Sequence, residues 1–157
     1  MLFYSVGFWY INNRIVGRQI GERIMSIYFF TGAAIFSIVP LLFLFKIHAE
    51  RVQENPDNFN EIQKRFFISV SISKVIPALL LIMGITIMEK VPVDKLIIPW
   101  LIILFALVYG IYYIVSFKRL PITGDPKLAV NTLVNLALPF IFSIPLMAAL
   151  FLFLLME

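Results

Sequence analysis

The chain of 157 residues contains no cysteine. That excludes disulfides, thiolate catalysis and cysteine-ligated metal centres. Histidine occurs once, as His48 beside Lys46, Glu50 and Arg51. One histidine among scattered carboxylates lacks metal-ligand spacing, so His48 is expected to be a solvated or interfacial side chain. Charged residues make up 14% of the chain, against roughly 25% in soluble domains. Gly-rich phosphate loops, Walker patterns and haem motifs are missing, and no cofactor is expected. No basic segment precedes the apolar and aromatic residues 1–11, and no small-residue cleavage site follows them, so a cleaved signal peptide is not expected.

What the chain does have is apolar length. It is 61% hydrophobic, with a mean hydropathy of +0.96. Residues 24–45, 96–117 and 128–156 carry no charge, and residues 66–88 carry only Lys74. Each run meets the requirement of about 20 residues for a transmembrane helix. The runs are continuous rather than alternating, and only helices or closed barrels satisfy their backbone in lipid. The expected fold is an all-α integral membrane protein, one transmembrane domain over residues 1–157 with four transmembrane helices. Residues 1–23, with Phe3, Tyr4, Phe8, Trp9 and Tyr10 followed by Arg14, Arg18 and Arg23, read as an interfacial leader. The net charge of +4 reflects basic residues at span ends, and no nucleic-acid partner is expected.

The connections are short. Residues 46–65 mix Lys46, Arg51, Lys64 and Arg65 with Glu50, Glu54, Asp57 and Glu61, around the turn signal Asn55-Pro56-Asp57-Asn58. This predicts two helix ends joined by a tight polar turn, with Glu61 supporting Lys64 and Arg65 one turn on. Residues 89–95 and 118–127 form the other two loops. Pro40, Pro77, Pro139 and Pro145 are placed to bend their helices, and Pro99 is expected in a first turn, where it is harmless. A shift of 68 residues aligns Arg51 with Arg119, Asp57 with Asp125 and Ile76-Pro77 with Ile144-Pro145, which raises two repeated helical hairpins as an expectation. Loops one and three hold seven Lys/Arg against five on the other side, a small bias toward a cytoplasmic position for those loops.

Lys74 is the conspicuous residue. A charge near the middle of a span costs about 2.5–3.5 kcal/mol on insertion scales and by default marks function. One reading is structural: the side chain snorkels toward loop one, with Ser71 and carbonyls loosened by Pro77 as partners. Another is a functional cation at a helix or subunit interface. No span contains an acid, so a carboxylate would come from another protein, a lipid or a substrate. A third is a Ser–Lys hydrolase built on Ser71 and Lys74, for which no oxyanion-hole signature is visible. Asn131 and Asn135, one turn apart, are candidates for gluing helices together, or for a polar pathway.

Residues 54–82, from Glu54-Asn55-Pro56-Asp57 through Phe66-Phe67-Ile68 to Lys74-Val75-Ile76-Pro77, resemble the hairpin of the rotary ATP synthase proteolipid, subunit c. In that family a polar turn joins two helices, an acid stands eighteen residues after the turn proline, and a proline often follows three residues later. Here Pro56 to Lys74 is eighteen and Lys74 to Pro77 is three. The resemblance covers under a fifth of the chain and departs at the position of the acid, which is Lys74. It departs also at the turn arginine, replaced by Glu54, and at the Gly-rich first helix, where residues 24–45 offer only Gly32 beside Ala33 and Ala34. The family's rotor site needs a group that is neutral in lipid and anionic beside a stator arginine. A lysine inverts both signs.

These readings converge on a non-enzymatic, multi-pass protein of the cell membrane. The leading expectation is an interaction or accessory subunit of a membrane complex, and the alternative is a proteolipid-like oligomer that transports an ion or solute. The expected partners are membrane lipid and either another membrane protein or further copies of the chain. The candidate contact residues are Lys74, Ser71, Pro77, Asn131 and Asn135.

Overall fold

Apolar segments that leave no side chain to satisfy the backbone must pair their own N–H and C=O groups, and the α-helix does this locally. A computed structural model of the protein describes residues 2–119, 121 and 124–156, with side chains from residue 25 onward. Helix α1 runs Leu2–Glu54, α2 Phe59–Ser73, α3 Val75–Thr86, α4 Val93–Ser116 and α5 Asp125–Leu154. Short 3-10 turns at Pro56–Asn58 and Phe117–Arg119 sit in loops one and three. Four helical stretches are long and apolar enough to cross a membrane: Met25–Glu54, Pro56–Thr86, Val93–Arg119 and Asp125–Leu154. The side chains of the expected interfacial leader, residues 1–23, lie outside the described residues.

The helices run well past the apolar runs, so loop one contracts to the expected tight turn. Asn55 N–H donates to the Arg51 carbonyl at 3.0 Å and Asn58 N–H to the Asn55 carbonyl at 3.3 Å. Arg65 pairs with Glu61 at 2.6 Å on the outer face. At the other end, loop two meets the end of α5. Val91 N–H donates to the Leu155 carbonyl at 2.9 Å, and Lys90 Nζ donates to the carbonyls of Leu154 (3.1 Å) and Met156 (3.0 Å). A lysine on the last carbonyls satisfies groups that a helix C-terminus leaves unpaired.

Helix α1 packs against every other helix, and α4 packs against α1 and α5 but not against α2 or α3. Helices α1 and α5 therefore form a central antiparallel pair. The α2–α3 segment lies along α1 with an edge on α5, and α4 fills the opposite groove. Close approach depends on two glycines. A Cβ on Gly84 would lie 2.7 Å from the Phe30 ring, and one on Gly110 would collide with Ile141 and crowd Ile38.

The core divides in two along the helix axes. One cluster, toward loops one and three, includes Ile38, Phe45, Phe66, Val70, Val134 and Ile141. The other, toward loop two, includes Phe30, Ala34, Leu81, Ile103, Ile144 and Leu155.

Two expectations are corrected. His48 is not solvated: it is 4% exposed, its Nδ1 lies 2.8 Å from the Leu44 carbonyl, and its ring meets Phe66 edge-on at 5.5 Å. It sits on the inward side of α1, which runs on to Glu54 and carries the residues around His48 into packed helix. Pro99 is not in a first turn, because α4 starts at Val93 and places it in the helix interior. There the missing N–H leaves the Lys95 carbonyl without its helical donor.

Candidate functional site

Pro77 has no N–H to offer the Ser73 carbonyl, and its ring crowds that carbonyl. In that turn the second span has a one-residue break in helix regularity at Lys74, between α2 and α3, while the Ala78 N–H still donates to the Lys74 carbonyl at 3.0 Å. Lys74 keeps φ −79° and ψ −10°, and its N–H is shared between the carbonyls of Val70 (3.1 Å) and Ser71 (3.3 Å). Pro40, Pro139 and Pro145 are carried inside unbroken helices, so the bends expected there take no such form.

From this break the Lys74 side chain crosses to both central helices. Its Nζ donates to Ser37 Oγ and, at 3.4 Å, to the Ser37 carbonyl on α1. It also donates to the Phe140 carbonyl on α5 at 2.9 Å. Ser143 Oγ donates to that same carbonyl at 2.9 Å. An ammonium has three N–H donors, and here all three meet neutral oxygens. Ser37 is buried, at 1% exposure, whereas Lys74 is half-buried and Ser71 and Ser143 are exposed.

The depth of the site follows from the packing. Ser37 lies between Ala34 of one core cluster and Ile38 of the other, and Lys74 lies between Val70 and Leu81. Phe140 adjoins Ile141, one turn before Ile144. The lysine thus joins three helices at the boundary between the two halves of the core.

The sequence-based partners are only partly right. Pro77 stands at the break, as its position beside Lys74 suggested. Ser71 meets Lys74 only through its backbone carbonyl; the ammonium turns to α1 and α5 instead of snorkelling toward loop one. Asn135 Oδ1 accepts a hydrogen bond from Lys118 Nζ at 2.8 Å, and Asn131 Oδ1 is buried with no hydrogen-bond partner. Neither amide reaches Lys74. Ser37 was missed, although it is a hydroxyl three residues before Pro40 in an apolar run. The Phe140 carbonyl carries no sequence signal beyond Pro139 and Pro145 on either side.

Chemically, Lys74 and Ser37 form the pair that a Ser–Lys hydrolase would use. Ser37, however, is buried at 1% exposure, and its Oγ accepts from the Lys74 ammonium. No group of three or more metal-ligating side chains occurs among the described residues. No protein-family model, curated protein or solved structure matches this chain.

Proposed function

We propose that the chain is a non-enzymatic, multi-pass subunit of the cell membrane that associates laterally with another membrane protein, with Lys74 at the contact. One observation supports this above others. A half-buried ammonium sits mid-way along the helices, held only by neutral oxygens, in apolar segments that contain no carboxylate. Neutral acceptors orient such a charge without compensating it, and an intramembrane ionisable group is expected to have a partner. Ser71 and Ser143, exposed on the neighbouring turns, add hydroxyls that a partner helix bearing an acid could use. The packed halves of the core on either side of the site favour a contact over a conduit through a single copy.

A second reading is an oligomer of this chain that transports an ion or solute. It is favoured by the order of turn, break and proline at Pro56, Lys74 and Pro77, which parallels the proteolipid hairpin. Native mass measurement after extraction in mild detergent separates the two. An unlike partner is expected, whereas a uniform ring would favour the second reading and a lone chain would overturn both. The variant Lys74→Met tests the role of the charge. Losing one member of a buried pair costs about 3–5 kcal/mol, so the Lys74→Met complex is expected to dissociate while the isolated chain still inserts. An unchanged complex would return Lys74 to a purely structural role.

A further inference from the structure

Helices α1 and α2 leave a groove on their outer face below the loop-one turn. One wall is Leu44, Ile47, His48 and Arg51 of α1 with Asn55 just past its end, and the other is Asn58, just before α2, with Glu61, Ile62, Arg65, Ile68 and Ser69 of α2. The spacings on both walls follow i, i+3, i+4, i+7, which places each set on one helix face. Two adjoining hollows of about 330 and 340 Å³ lie in this groove and share Arg51 and Arg65 in their linings.

The groove is polarised along its length. The end near the turn has Arg51, Arg65, Asn55 and Asn58. The deeper end has Leu44, Ile47 and Ile68, about 10 Å further along the helix at 1.5 Å per residue. Glu61 also lines the outer end, but Arg65 engages it at 2.6 Å. Arg51 is exposed and makes no ion pair among the described residues. The outer end therefore has a net positive charge at the level where the apolar part of the span gives way to polar loop.

We propose that this groove binds one anionic phospholipid, its phosphate between Arg51 and Arg65 and an acyl chain along Leu44, Ile47 and Ile68. The arginine fork suits phosphate oxygens, and the apolar floor suits a chain that free phosphate lacks. Arginines at a membrane surface attract anionic lipid by several-fold each. The partly neutralised pair is thus expected to favour anionic over zwitterionic lipid by roughly tenfold.

The test is native mass spectrometry of the full chain in detergent, with dioleoyl phosphatidylglycerol or dioleoyl phosphatidylcholine added at matched concentration, and with inorganic phosphate alone. One retained phosphatidylglycerol, roughly tenfold favoured over phosphatidylcholine, is expected, with no retained phosphate. The variant R51Q/R65Q should lose the preference, as should Arg51→Gln alone in larger part, since that variant leaves the Glu61–Arg65 pair intact. The control K64Q/K127Q removes two exposed cations at the same end outside the groove and should keep it. Equal retention of the two lipids, retention of phosphate alone, or equal loss in the control would overturn the proposal.

Discussion

At the residue scale, the hydroxyl of Ser37 and the ammonium of Lys74 depend on one another. Without Lys74, Ser37 can turn back to a carbonyl of its own helix, a common local alternative for a helical hydroxyl. Without Ser37 Oγ, the ammonium keeps the Phe140 carbonyl and the longer bond to the Ser37 carbonyl. Hydrogen bonds between membrane helices contribute about 0.6–2 kcal/mol. Ser37→Ala is therefore expected to destabilise the fold by about 1 kcal/mol in the wild-type background and by little in Lys74→Met. Unfolding in mixed detergent micelles, run as a double-mutant cycle, checks this, and additive effects would show that the two groups do not act together. The sequence marked Lys74 because a charge in an apolar run is conspicuous. It could not mark the acceptors, since two are backbone oxygens and the third is the hydroxyl of a serine thirty-seven residues away.

At the element scale, the placement of the helices, the tight turn and a disturbance at Pro77 were legible in advance, whereas helix length and helix closeness were not. Length and hydropathy placed the helices, and the Asn55–Asn58 signal placed the tight turn. The break in the second span follows from Pro77. The longer helices were not legible, because charged residues at a span end continue a helix as readily as they close one; α1 carries its helix through Lys46, Glu50 and Arg51 to Glu54. The closeness of neighbouring helices was not legible either, since it depends on which glycine faces which ring. Gly84 lies against Phe30, which is fully buried and stacked on Phe151 at 5.5 Å, so the ring has nowhere to go. Gly84→Leu is expected to destabilise the protein by about 1–3 kcal/mol through overpacking. Gly32→Ala meets open space and should instead gain up to about 1 kcal/mol from helix propensity. Thermal melting of both variants in one detergent checks the contrast, and a shift of the same sign in both would contradict the packing of α3 on α1. The repeat suggested by a 68-residue shift pairs unlike local structures here: α2 and α3 break at Lys74, whereas α5 runs unbroken through Phe142.

At the scale of the whole molecule, the outer faces carry the apolar surface. Along α4, Ile98, Leu101, Phe105, Val108 and Tyr112 recur on one exposed face, with Phe105 74% exposed. Ile72 at the end of α2 and Ile76, Leu79 and Met83 of α3 do the same along the second span. Soluble monomers rarely leave contiguous apolar patches beyond a few hundred Å², so these faces call for lipid or protein cover. The helix of 30 residues at Asp125–Leu154 is roughly 45 Å long, enough to cross the hydrocarbon core of about 30 Å and project at its ends. Loop two and the end of α5 are tied together at one end, and loops one and three lie at the other. Because the chain has no cysteine, single introduced cysteines can report topology without background. Asn58→Cys and Lys127→Cys should react with an impermeant maleimide from one face of sealed vesicles, and Asp94→Cys from the opposite face. The bias of seven Lys/Arg around loops one and three over five on the other side favours that face as the cytoplasmic one under the positive-inside rule, so the expected outcome is that Asn58→Cys and Lys127→Cys label in inverted vesicles and stay protected in intact cells. Labelling of Asn58→Cys and Asp94→Cys from the same side would break the four-span arrangement. Labelling of the first pair from outside intact cells would leave the arrangement standing and reverse its orientation, with the Arg51–Arg65 groove then in the outer leaflet.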